Sequence, residues 1–141
     1  LIYGVVFSKE DKLKIINFSK LKNLKTISIG YYNNWADKNY IHATPEDFLS
    51  YVSNANYVFT SMFHGIMFSV KFKKNFWYSD DRIRANKIGY FIKNLDLSNR
   101  SINGQKNFSD EINYSEVDKK LIPWVESSKS FLRNCLKEKN L

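Results

Sequence analysis

The 141-residue chain has little with which to staple or break itself: one cysteine, two prolines, five glycines and two histidines. The lone Cys135 excludes an internal disulfide or a cysteine metal cluster and points to a reducing, cytoplasmic setting. No apolar run approaches the roughly 18–20 residues that a membrane span needs, and no signal peptide is visible, so no membrane span is expected. Repeats and low-complexity tracts are missing too. The chain opens on Leu1 rather than methionine, and we read it as a piece of a longer protein. Although the net charge is +8, the lysines are scattered and no dense basic tract or nucleic-acid motif accompanies them. A solvated basic surface accounts for them, and no nucleic-acid partner is expected.

What is present suffices for one domain with its own core, since 43% of the residues are hydrophobic. "LIYGVVFS" (1–8) has the pattern of a strand buried on both faces. The stretch after it is helical, with Leu13, Ile16 and Leu21 on roughly one face. "LKTISIGYY" (24–32) reads as a second buried strand and "YNNWADKNYIHA" as a polar, aromatic loop. Thr44, Pro45, Glu46 and Asp47 form a strong helix start. "YVFT" (57–60) is the third strand, "GIMFSVKF" a helix and "KNFWYS" (74–79) the fourth strand. Residues 81–97 are helical, with Ile88, Phe91, Ile92 and Leu95 spaced for one face. Residues 98–114 form a polar loop without assigned structure. A last helix runs from a cap at Ser115 or Asp118 to about Lys137, with Pro123 a kink.

Strands alternating with helices predict an α/β, Rossmann-like fold: a parallel sheet of four or five strands with flanking helices. Ligands of such sheets bind beyond the carboxyl ends of the strands. No G-x-G-x-x-G follows the first strand, which removes the dinucleotide fingerprint. The informative corner is "TSMFHG" (60–65), where a strand turns into a helix carrying His64. The first turn of that helix offers unpartnered N–H groups and the positive dipole end to phosphate or carboxylate. Gly65 permits close approach of an anion or of another backbone. An imidazole there can move protons near neutral pH. As a spacing alone, a histidine at a helix start reads equally as a cap or a satisfied core residue.

The stretch "TPEDFLSYVSNANYVFTSMFHGIMFSVKFKKNFW" resembles the polysaccharide pyruvyl transferase family, in its Pro-x-x-Phe-Leu helix, Ala-x-Tyr-Val-x-Thr strand, Phe-His-Gly corner, Phe-Ser and Lys-x-Phe strand. "KIGYFIKNLDLSNR" (87–100) and "VDKKLIPWVESSKSFL" (117–132) extend the likeness more weakly. The resemblance implies the C-terminal, donor-binding half of a two-domain, GT-B-like enzyme. That enzyme transfers pyruvyl from phosphoenolpyruvate to a saccharide or lipid-linked saccharide acceptor during synthesis of a bacterial surface polysaccharide. A missing N-terminal domain would supply the acceptor groove, and this chain alone would be inactive. The likeness also implies that His64 is the acid–base residue, and that Lys87 pairs with the donor. Ser61, Gly65 and Arg84 would assist, with Arg82 competing for the same loop. Met62 departs from the family, which carries Arg or Ser there; methionine binds no anion, so the contact passes to Ser61, to backbone N–H groups or to the other domain.

No histidine–carboxylate spacing has metal-site character, the adjacent Asp80 and Asp81 included; no metal and no cofactor beyond the donor are expected. His42, with Trp35, Asp37 and Tyr40, lies in a loop on the same sheet edge and reads chiefly as an exposed aromatic loop. Two alternatives stand beside this reading. One is the nucleotide-sugar half of a GT-B glycosyltransferase, which needs a ribose-binding carboxylate. The other is a non-catalytic basic module for acidic polymers, indifferent to His64.

Overall fold

A computed structural model describes residues 1–79 and 85–138, with backbone alone for 85–87 and 137–138. The elements, in chain order, are β1 (Ile2–Tyr3), α1 (Lys9–Leu21), β2 (Ile27–Ile29), β3 (Lys38–Tyr40), α2 (Pro45–Asn54), β4 (Tyr57–Thr60), α3 (Phe63–Lys71), β5 (Asn75–Tyr78), α4 (Ala85–Asn94), a single 3₁₀ turn (Ser98–Arg100) and α5 (Tyr114–Glu138). The five strands form one parallel sheet in the order β3-β2-β1-β4-β5. This is the Rossmann-like α/β architecture the alternation predicts.

Side-chain alternation along the strands makes two cores. Ile2, Phe59 and Trp77 point to one face, where Ile15 and Phe18 of α1 meet Ile102 and Phe108. Val58, Phe76 and Tyr78 point to the other, against Val52 of α2, Ile66 and Val70 of α3, Ile88 and Ile92 of α4 and Val117 of α5. A period of two on a sheet covered on both sides explains why β1, β2, β4 and β5 read as apolar.

Four expectations need correction. First, β1 is far shorter than residues 1–8: Gly4 adopts φ 131°, a conformation that ends the strand, and Val5 and Val6 are exposed. Second, α1 buries Asp11, Ile15 and Phe18, while Leu13 and Leu21 are exposed. Asp11 occupies a core-facing position because it caps the helix: its carboxylate accepts from the Ser8 N–H, and Ser8 Oγ accepts from the Asp11 N–H. Third, the aromatic loop contains β3, an edge strand with a polar sequence. Fourth, residues 98–114 carry structure. Ser101 bridges to Tyr78, and Ile102 and Phe108 are buried in the α1-side core.

The β2–β3 crossover is only the loop of residues 30–37, held by polar side chains in place of a helix. Buried Asn33 donates to the Gly4 carbonyl (2.9 Å) and to Ser28 Oγ (2.8 Å), and its carbonyl accepts from Trp35 Nε1 (3.1 Å). At the far end of the loop the Asp37 carboxylate accepts from Thr26 N–H and Thr26 Oγ1, both at 2.7 Å. Those bonds hold its carboxyl below the usual carboxylate range.

Candidate functional site

In the order β3-β2-β1-β4-β5 the winding direction reverses between β1 and β4, the place where sheets of this kind bind ligands. Here that point is closed by the chain itself. Thr60 Oγ1 donates to the Tyr3 carbonyl (2.7 Å) and accepts from Met62 N–H (3.0 Å). Ser61, fully buried, accepts at Oγ from Val6 N–H (3.2 Å), so its hydroxyl already serves the β1–α1 turn. A Cβ on Gly4 would stand 2.2 Å from Ser61 Oγ, which is why glycine passes there.

The open space lies beside this seam. A cleft of about 360 Å³ opens between the carboxyl ends of β1 and β2 and the starts of α2 and α3. Tyr3, Gly30, Tyr31, Thr44, Phe48 and His64 line it, with Phe68 behind. Tyr3 sits against Phe48 (4.4 Å between ring centroids) and Tyr31 (5.4 Å). Burial, and then the neighbouring Tyr31 hydroxyl, push the Tyr3 phenol up from its ordinary value, so it stays a neutral hydrogen-bonding group at physiological pH. His64 is exposed at the mouth, on the first turn of α3.

The starts of α1, α2 and α3 at this edge differ. Both α1 and α2 close theirs with capping boxes and acidic first turns, through Ser8–Asp11 and Thr44–Asp47. In contrast, α3 begins on Met62 with no side-chain cap bond and no acidic residue in its first turn. No carboxylate of its own first turn offsets the positive end of its dipole. Gly65 serves the packing: a Cβ there would lie 2.2 Å from Thr60 Oγ1 and 3.0 Å from the Tyr3 ring. It brings α3 down onto the strand ends, which carries His64 to the cleft.

Of the residues the sequence singles out, Ser61, Gly65 and His64 share this corner, with only His64 reaching the cleft. Lys87 lies on α4 by its backbone, and its side chain is outside the described residues; Asp80, Asp81, Arg82 and Arg84 are wholly outside them. His42 occupies a neighbouring groove with Asn39, Tyr40 and Tyr51, which meets the cleft at Ala43. Sequence reasoning overlooks Tyr3, Tyr31 and Phe48. Tyr3 is visible as the last residue before a strand-ending glycine, but nothing in sequence pairs it with α2. Among the described residues the cleft is lined by no lysine, arginine or carboxylate. A second hollow of about 280 Å³, at the amino ends of the strands around Leu1, Phe18, Ile27 and Tyr57, is the better enclosed. Among the described residues it holds no histidine or carboxylate, and it lies at the opposite edge of the sheet from His64.

The fold defines the class: a Rossmann-like α/β domain with a five-stranded parallel sheet, carrying a histidine on the first turn of α3 at the carboxyl edge of that sheet. Residues 1–80 match the family model described as polysaccharide pyruvyl transferase, and the chain belongs to that family. The match takes in both sides of the cleft and the whole Thr60–Gly65 corner. No curated protein and no solved structure matches the chain.

Proposed function

We propose that this domain binds phosphoenolpyruvate in the His64 cleft and supports ketal pyruvyl transfer to a saccharide of a bacterial surface polysaccharide. The observation that carries the reading is His64 on the first turn of α3, which unlike α1 and α2 has no acidic residue there, facing a cleft of about 360 Å³. The donor's carboxylate or phosphate faces the α3 N-terminus, while the Tyr3 and Tyr31 phenols offer hydrogen bonds to its oxygens. Tyr3 and Phe48 give the methylene end an apolar wall.

In the reaction the methylene carbon gains a proton, and a sugar hydroxyl adds to the adjacent carbon as it loses its own. The carbon–oxygen bond to phosphate then breaks, and a second hydroxyl of the acceptor takes the vacated position. Its proton leaves with the phosphate. Two hydroxyl protons thus balance one new C–H bond and one protonated phosphate. The role we assign to His64 is to carry one of these protons, since imidazole exchanges protons readily near pH 7. Cationic partners for the donor fall to Lys87, Arg84 and a second, N-terminal domain of a GT-B-like enzyme; that second domain would also hold the acceptor. The absence of a carboxylate among the described cleft residues argues against the nucleotide-sugar alternative, which needs one for the ribose.

The test is calorimetric titration of the chain with phosphoenolpyruvate, beside His64→Ala and His64→Gln. Binding weakened by about tenfold or more in His64→Ala, and partly kept in His64→Gln, supports the site, one hydrogen bond to a charged group being worth roughly 1.5–3 kcal/mol. Equal binding by all three proteins removes His64 from the donor site.

A further inference from the structure

The groove beside the His64 cleft takes no part in donor binding, and an aromatic pair shapes it. Tyr40 ends the edge strand β3, Tyr51 lies on α2, and their ring centroids are 5.3 Å apart. Only residues 41–43 separate β3 from the Thr44 cap, which holds the strand end close to the helix. Tyr51 is half-buried, whereas Tyr40 is 42% accessible and leaves much of its ring uncovered. Exposed His42 and Asp47 line the same groove. Asp47 is engaged only in part: both cap bonds, from Thr44 N–H and Thr44 Oγ1, end on Oδ2. Its Oδ1 accepts from no other group among the described residues.

The lining selects an occupant. A volume of about 460 Å³ falls within the range of small-molecule sites, roughly 300–1,000 Å³. Among the described residues no lysine or arginine lines it, and Asp47 sets a negative charge there, which disfavours an anion. Ile41 is the one large aliphatic residue of the lining, too little apolar surface for the core of a protein contact. What remains is aromatic ring edged by two phenols, an imidazole and a carboxylate. A pyranose matches both parts. Its C–H face packs on an aromatic ring, and its hydroxyls donate to a carboxylate and accept from a phenol or imidazole N–H. The position fits as well, since groove and cleft share Ala43, and a sugar in one lies next to a ligand in the other.

We propose that the groove of Tyr40, His42, Asp47 and Tyr51 is a subsite for a neutral pyranose of the acceptor saccharide, stacked on Tyr40 and bonded through its hydroxyls to Asp47 and His42. The proposal rests on the pyruvyl transfer proposed for the His64 cleft and deepens it: the second domain closes over an acceptor of which this chain already orients one sugar.

The test is an NMR titration of the isotope-labelled 141-residue chain with methyl glycosides of glucose, galactose, mannose and N-acetylglucosamine. Sorbitol, a polyol without a ring face, is the control, and light scattering of the free protein accompanies it. Expected is saturable binding of at least one pyranoside at millimolar concentration, with amide shifts centred on residues 39–43, 47 and 51, and none from sorbitol. Tyr40→Ala weakens that binding at least about fivefold, while Tyr40→Phe keeps it. His42→Ala weakens it about threefold. Both side chains are exposed, and an unchanged unfolding midpoint verifies that the variants remain folded. Absence of saturable pyranoside binding overturns the subsite, as do equal binding of sorbitol, shifts centred elsewhere and indifference to both Tyr40→Ala and His42→Ala. A parallel titration with phosphoenolpyruvate separates the two readings. Donor binding without pyranoside binding sinks the subsite alone; pyranoside binding in the groove without donor binding upholds the subsite and sinks the donor site. A concentration-dependent dimer that Tyr40→Ala dissociates, in place of sugar binding, overturns the subsite in favour of a second copy.

Discussion

At the scale of single residues, the corner depends on what Gly65 lacks. The space its side chain would fill belongs to Thr60 Oγ1, 2.2 Å from an ideal Cβ, and Thr60 itself ties β1 to β4 and accepts from the Met62 N–H. Gly65→Ala must push aside a buried hydroxyl that has nowhere to go. A loss of about 1–3 kcal/mol is expected, the usual cost of overpacking, measured by denaturant unfolding. His64→Ala, one position away but exposed, is expected to stay within about 0.5 kcal/mol of the parent. A drop as large as that of Gly65→Ala would instead give His64 a structural role. The sequence makes this contrast half legible. A glycine after the histidine announces close approach, but only the packing tells that the neighbour is Thr60 and the Tyr3 ring rather than a ligand.

Among the elements, those with strong local chemistry are the ones the sequence reveals. Thr44–Pro45–Glu46–Asp47 starts α2 as its cap residues require, with Asp47 accepting from the Thr44 N–H and donating its own N–H to Thr44 Oγ1. The helix α1 misleads for an instructive reason. Its buried row is Asp11, Ile15 and Phe18, and a hydropathy pattern discards the carboxylate that heads it. Asp11 is tolerated inside because Ser8 N–H and Ser79 Oγ, the latter at 2.8 Å, donate to its Oδ2. Edge strand β3 misleads for the opposite reason, since a strand at the rim needs no apolar pattern and takes its register from Asn33, Asn39 and Asp37. The corrected face of α1 has a direct check. Ile15→Ala is expected to cost about 2–5 kcal/mol, while Leu13→Ala on the exposed side changes stability by no more than about 0.5 kcal/mol. Equal losses in thermal or denaturant unfolding would restore the face read from hydropathy.

Over the whole molecule, strand–helix alternation reveals the layering but leaves the order β3-β2-β1-β4-β5 open. That order depends on which way each crossover turns, and the β2–β3 crossover has no helix to announce it. The finished sheet separates its two edges: the carboxyl edge keeps an open cleft with an exposed imidazole at its mouth, and the amino edge a better enclosed hollow around Leu1, Phe18, Ile27 and Tyr57 that holds no histidine or carboxylate among the described residues.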